Sequence, residues 1–348
     1  MWPVIAQIVI RVFYAGMYLT NKVALTRGMN SFIYVTYRAA LATLALAPFT
    51  YFAERKIRPP SGLKQTWHMF LLGLLGITVT QNCYILGLYY TSSTFSATVS
   101  NLIPVAVFIV SIILRMEKVD LRKITGQGKI VGTLVCLAGA MILTLYKGPE
   151  LDIFKHLKSP DSITKLLPTS QTSTHIKKNW ILGPVFSLLA VATWSGWIIF
   201  QASAFKDYPA QMSLSAYMCF MGTIQSGIVA LFFGKLEAWR INWDFELFTY
   251  VYSGVLCTGA GILVQTWCIR KKGPVFAAAF NPVSTVVVAI LEPILFHIKT
   301  HVGSIVGAGM VIIGLYCLLW AKSKEAKVEK DMHMYAIQEE DNTLGTTW

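Results

Sequence analysis

The sequence predicts an all-α polytopic membrane protein, with ten transmembrane helices arranged as two inverted five-helix repeats. Three observations carry that prediction. Of 348 residues, 55% are hydrophobic and only 14% charged, against roughly 25% charged in a soluble domain. Ten apolar runs approach or exceed the roughly 20 residues needed to cross a hydrocarbon core. Finally, Gly128-Lys-Ile-Val-Gly132 with Gly139 returns as Gly303-Ser-Ile-Val-Gly307 with Gly314. Five runs precede the polar middle of the chain and five follow it, and an odd number of spans inserts the second copy from the opposite face.

Span 1 is expected at residues 3–25. Its apolar stretch exceeds a secretory h-region and no small-residue cleavage site follows, so it reads as a retained helix. Spans 2 and 3 follow at 32–53 and 68–90. Only Thr91-Ser92-Ser93 separates span 3 from span 4 at 94–115, which suits an antiparallel hairpin. Span 5 at 128–146 carries the first glycine motif and closes a repeat at 4–146. Residues 147–179, rich in Ser, Thr, Lys and Pro with little apolar periodicity, form an inter-repeat loop. The second repeat, 180–321, holds spans 6 to 10 at 180–204, 212–233, 247–269, 274–296 and 302–320. Residues 322–348 read as a solvated cytosolic tail, basic at first and acidic at Glu339-Glu340-Asp341. No run shows the alternation of a membrane β-barrel strand.

The repeat extends beyond the glycines. Tyr14-Ala-Gly16 aligns with Trp194-Ser-Gly196, which sets Asn21 beside Gln201, and Phe95-Ser-Ala97 aligns with Phe276-Ala-Ala278. These pairs share nearly the same offset along the chain, and the glycine motif's is slightly shorter, a difference that loop length absorbs.

Charge sets the orientation. With the N-terminus inside, the inner loops and tail hold 17 Lys and Arg, among them Arg55, Lys56, Arg122, Lys123, Arg270, Lys271 and Lys272. The short outer loops hold four: Arg27, Lys235, Arg240 and Lys299. This positive-inside bias puts both termini in the cytosol. The net charge of +13 therefore serves orientation and contact with the lipid bilayer, and no nucleic-acid partner is expected. All six cysteines fall within spans, where they read as small packing residues and not as a disulfide framework.

Ionisable groups inside a span are expensive, so each is a functional suspect. Arg11 and Lys22 in span 1, Arg38 in span 2 and Glu292 in span 9 qualify. Lys22 or Arg38 is a partner for a substrate carboxylate, with Glu292 as gate or counter-charge. The alternative has Lys22 and Glu292 snorkelling to the interface and Arg38 bonding helix carbonyls. Asn101-Leu-Ile-Pro104 in span 4 and Asn281-Pro282 in span 9 mark broken helices, whose backbone survives at membrane depth only against protein or a hydrated cavity. Proline kinks also serve structure alone. Gln81, Asn82 and Tyr84 in span 3 and Gln265 in span 8 need hydrogen-bonding partners. Tyr14, Trp194 and Trp197 flank glycines, as cavity walls or as packing. The candidate substrate-binding residues are thus Tyr14, Lys22, Arg38, Gln81, Tyr84, Asn101, Pro104, Trp194, Trp197, Gln265 and Asn281. The glycine-rich spans 5 and 10 read as scaffold or as homodimer contacts.

A set of longer strings makes the chain similar to a known family. They include Tyr14-Ala-Gly16-Met, Arg27-Gly28-Met29, Glu54-Arg55-Lys56, Ser100-Asn101-Leu-Ile-Pro104, Arg115-Met-Glu-Lys118 and Tyr208-Pro-Ala-Gln211. From about residue 4 to residue 325 the chain resembles the plant nodulin-like EamA transporters, also called UMAMIT or walls-are-thin-related proteins, of the drug/metabolite transporter superfamily. The resemblance implies ten helices, two EamA repeats and bidirectional facilitated movement of amino acids, with auxin or other metabolites as alternative substrates. It implies a plasma-membrane or vacuolar location. Two positions depart from the family: Ile298 stands where a glutamate is expected, although Glu117 is kept, and Arg11 stands where relatives tend to carry Gln. The second departure bears on the charge of the substrate. A nucleotide-sugar exchanger would need more basic residues, and a membrane-embedded enzyme would need clustered acids or a nucleophile with its base. The enzyme's pattern is absent and no cofactor is expected; a nucleotide-sugar or phosphate-ester exchanger and a non-transporting sensor on the same fold are the remaining rivals.

Overall fold

The structure is a computed structural model that describes residues 2–54, 62–90, 99–117, 120, 122–146, 148–151, 181–208, 210–234, 239–240, 244–296 and 300–345. The expected inter-repeat loop at 147–179 lies almost wholly outside the described residues. The first repeat contains α1 (Trp2–Thr26), α2 (Ser31–Glu54), α3 (Leu63–Gly73) continued through a π-helical segment Leu74–Val79 into α4 (Thr80–Tyr90), α5 (Ile103–Ile113) and α6 (Ile124–Leu145). After the two-residue strand β1 (Glu150–Leu151), the second contains α7 (Leu182–Asp207), α8 (Gln211–Phe233) and α9 (Phe245–Val251), which passes through a π-helical segment Tyr252–Ala260 into α10 (Gly261–Lys272). It ends with α11 (Pro274–Ala279), α12 (Asn281–Phe296), the two-residue β2 (Thr300–His301) and α13 (Val302–Gly345).

Nine helical stretches among the described residues are long and apolar enough to cross a membrane, and α5 is a shorter apolar helix. The chain is a ten-helix polytopic membrane protein. Its exposed surface accordingly carries large apolar side chains such as Phe52, Phe232 and Ile113, which lipid would cover. The six cysteines are free and five of them are buried, as packing residues are.

Polar residues at the helix starts meet the amides a helix leaves unpaired. Asn30 Oδ1 accepts from Phe32 N at 3.0 Å, opening α2, and Asp244 Oδ1 accepts from Glu246 N at 3.0 Å, opening α9. The Glu54 carboxylate caps α8 across the repeats, accepting from Met212 N at 3.0 Å and Ser213 N at 2.6 Å.

The repeats cross antiparallel about a pseudo-two-fold axis. Thr43 Oγ1 and Thr223 Oγ1, which lie 180 residues apart, are themselves 3.5 Å apart. A residue touches its own counterpart only on the axis. Gly73 of α3 packs on the Met218 carbonyl, Met221 Cβ and Gly222 amide of α8. Its counterpart Gly254 packs on the Arg38 carbonyl, Leu41 Cβ and Ala42 amide of α2, the first-repeat equivalents of those same three residues in turn. The C-terminal Glu54 of α2 meets Met212 and Ser213 at the start of α8, its counterpart helix, so these two run antiparallel.

The glycine motifs lie face to face where α6 crosses α13. A Cβ on Gly132 would stand 2.7 Å from the Leu318 amide nitrogen, and one on Gly139 would stand 2.8 Å from the Gly307 carbonyl. Backbone cannot yield as a flexible side chain does, so only glycine permits this approach. Cys136 Sγ donates to the Val311 carbonyl at 3.3 Å, again between counterparts, here 175 residues apart. The scaffold role expected of these stripes is thus met within one chain.

The two ends of this central pair are fastened by different means. At the near end, where α1 begins, Lys129 Nζ reaches Glu117 at 2.8 Å and Glu325 at 2.5 Å, while Lys322 Nζ reaches Glu117 at 2.9 Å. The segment expected as a solvated tail therefore begins as part of the bundle: α13 continues through it, and Lys322 and Glu325 are drawn in by opposite charge. At the far end β1 pairs antiparallel with β2, Glu150 opposite His301. Lys129→Met would leave Glu117 with Lys322 alone. Breaking a buried pair costs about 3 kcal/mol, so the thermal unfolding midpoint in detergent should fall by several degrees. An unchanged midpoint would show that the cluster contributes nothing to the fold.

Candidate functional site

Between the repeats, near the middle of the spans, lies a cavity lined by Tyr14, Val35, Arg38, Ala39, Gly76, Ile77, Gln81, Trp194, Trp197, Thr258 and Ile262. Five of these are predicted site residues, brought together from spans 1, 2, 3 and 6. The space left for the centres of water-sized molecules is about 20 Å³, little more than one water needs.

Both π-helical segments contribute to the lining. Each is held by a threonine hydroxyl that reaches five residues back: Thr80 Oγ1 donates to the Leu75 carbonyl at 2.6 Å and Thr258 Oγ1 to the Ser253 carbonyl at 3.0 Å. Widened turns of this kind gather at functional sites because they re-aim side chains and backbone. Here one places Gly76 and Ile77 on the cavity, the other Thr258. Gly76 lets the Trp197 indole lie flat on span 3, since an added Cβ would stand 2.5 Å from Trp197 Nε1. Trp197 Nε1 donates to Met218 Sδ at 3.1 Å, and its ring meets that of Trp194 with centroids 4.7 Å apart.

Arg38 supplies the charge. It is 8% exposed and its Nε donates to Thr258 Oγ1. Its ionisable neighbours among the described residues include Tyr14, Tyr18, Tyr34, Cys219 and Cys257, with no carboxylate among them. A guanidinium sunk in the membrane without an acid is a strong attractor for an anionic group. Its equivalent in the second repeat is Met218, so the charge is not repeated, and the second repeat lines the cavity with Trp194, Trp197, Thr258 and Ile262.

Other predicted residues lie elsewhere. Lys22 is exposed on α1 and does not line the cavity, as the snorkelling alternative has it. Asn101 is buried against span 5, its Nδ2 3.5 Å from the Ala140 carbonyl. Pro104 sits in the first turn of α5, where its missing N–H costs nothing. Spans 4 and 9 are both interrupted, at residues 101–102 and at Phe280, yet the asparagines beside the breaks are not cavity wall. Asn281 Nδ2 is buried with no partner among the described residues. Tyr84 is half-buried one turn from Gln81, and Asn82 turns back to the Thr78 carbonyl at 2.7 Å. Gln265 is buried and bonds Arg11. The Glu292 side chain lies outside the described residues. Sequence reasoning missed Val35, Ala39, Gly76, Ile77, Thr258 and Ile262, which carry no charge, amide or ring to mark them.

The family model for the EamA-like transporter family matches residues 1–145 and again residues 181–320. Protein WALLS ARE THIN 1 of Arabidopsis thaliana is 40% identical over 329 residues, covering 93% of this chain and 84% of that relative. A WAT1-related protein of the same plant is 41% identical over 325 residues, covering 93% and 85% respectively. A crystal structure of a protein only 14% identical superposes with TM-score 0.65 over 92% of this chain and 99% of its own, a likeness of fold alone.

Proposed function

The chain belongs to the EamA-like transporter family, among the WAT1-related plant proteins of the drug/metabolite transporter superfamily, and from that premise we propose that it moves amino acids or related small organic acids across a membrane. It works as a bidirectional facilitator. Residues 4–146 and 180–321 rock about the axis through Thr43 and Thr223, opening the central cavity to one side and then the other. Arg38, steadied by Thr258, grips the substrate carboxylate, while Tyr14, Trp194 and Trp197 enclose the remainder. The observation that carries this reading is the uncompensated guanidinium in a cavity between two inverted repeats. Both termini face the cytosol in keeping with the basic loops, in the plasma membrane or the vacuolar membrane.

The paired tryptophans favour a second reading within the same class, an aromatic carboxylate such as auxin. Uptake of radiolabelled amino acids and auxin into proteoliposomes, with and without a pH gradient, tests both. Saturable counterflow of at least one is expected. Uptake no greater than in empty liposomes for the whole series would remove the transport reading.

A further inference from the structure

A second arginine lies deeper in the same bundle. Arg11 of α1 is 5% exposed, one helical turn nearer the near end than Tyr14. Its Nη2 donates to Gln265 Oε1 at 3.0 Å and lies 3.4 Å from the Ala277 carbonyl. Its guanidinium stands 5.6 Å from the centre of the Tyr14 ring. Its ionisable neighbours among the described residues are Tyr14, Tyr18 and Cys268, so this cation too faces no carboxylate there.

Two donors at this point are buried with nothing to bond among the described residues: Arg11 Nε and Gln265 Nε2. Leaving a buried donor unmet is costly, and two on bonded neighbours, one of them cationic, call for an acceptor oxygen. Arg38 enters the bundle seven residues from the far-end start of α2, Arg11 nine residues from the near-end start of α1, and Tyr14 neighbours both. The equivalent of Arg11 in the second repeat is Val191, so nothing repeats the arrangement on the other side.

We propose that Arg11 and Gln265 form an inner binding station for a carboxylate, reached after the anion leaves Arg38 and passes Tyr14. This rests on the transport reading above. The carboxylate exchanges the Arg38–Thr258 grip for the unpaired Arg11 and Gln265 donors, and leaves at the near end when that end opens.

Sided kinetics in proteoliposomes of defined orientation test the station, with labelled L-phenylalanine and 3-phenylpropionate as probes. Arg11→Gln should raise the half-saturation concentration at the near-end face about tenfold or more, the loss expected for a charge-assisted hydrogen bond, and change that at the far-end face less than about twofold. Arg11→Lys, which keeps the charge, should restore most of the near-end affinity. Equal shifts at both faces, or none, would refute the inner station while leaving transport standing. Should Arg11→Gln prove poorly folded, Gln265→Leu should give the same one-sided shift, and its absence is equally decisive. If wild-type protein moves neither these probes nor any member of the series above, the transport reading itself falls, which is a separate result.

Discussion

Replacing Arg38 by Leu should lower substrate flux about thirtyfold or more, since truncating one partner of a buried, hydrogen-bonded charge pair costs roughly 2–5 kcal/mol. The same change should make the protein more stable. Arg38 is 8% exposed and meets no carboxylate among the described residues, so its fold carries the cost of a membrane-buried charge. A leucine in its place joins Val35, Ile77 and Ile262 on the cavity wall without that cost. Stability and function are therefore expected to move in opposite directions. Flux per protein molecule in proteoliposomes, measured alongside the unfolding midpoint in detergent, reads both. Normal flux in Arg38→Leu would eliminate the anion grip as the basis of binding, and a falling midpoint would recast Arg38 as a structural residue.

The second large effect belongs to the scaffold. Gly139→Leu or Gly307→Leu should prevent assembly of the central helix pair. At Gly139 even a Cβ would stand 2.6 Å from Met310 Cβ and 2.7 Å from the Val311 amide nitrogen; at Gly307 it would stand 2.6 Å from the Gly139 carbonyl. Overpacking against backbone costs about 3 kcal/mol or more. Gly309 lies on the same helix, but an added methyl there meets nothing within 4 Å. Gly309→Ala should therefore be neutral. Monodisperse elution on size-exclusion chromatography is expected for Gly309→Ala and lost in the other two. If all three elute alike, the glycine contacts do not hold the halves together.

How much of this could be read from the chain depends on the range of each signal. The spans were legible because lipid imposes its thickness on every segment separately, so apolar length alone marks them. The inversion was legible because Gly128–Gly139 and Gly303–Gly314 are near copies on either side of an odd count of spans. Among the residues that line the cavity, Arg38 and Gln81 stood out because a charge or an amide at membrane depth is costly wherever it occurs, and Tyr14, Trp194 and Trp197 because they flank glycines. Asn101 satisfied the same criterion and is not cavity wall, since an amide paired with the Ala140 carbonyl looks identical in sequence to one awaiting substrate. The π-helical turns left no local mark: a threonine bonding five residues back is a property of the folded turn. Thr258 thus came to light only through Arg38, 220 residues away.

The duplication of the frame does not extend to its buried charges: the position equivalent to Arg38 holds Met218, and the position equivalent to Arg11 holds Val191. On the transport reading proposed above, a passenger with a charged head and a greasy body would have a single pose, head toward the amino-terminal half, whichever compartment it came from. Reversing the journey would then reverse the order of the two arginines without requiring the cargo to tumble.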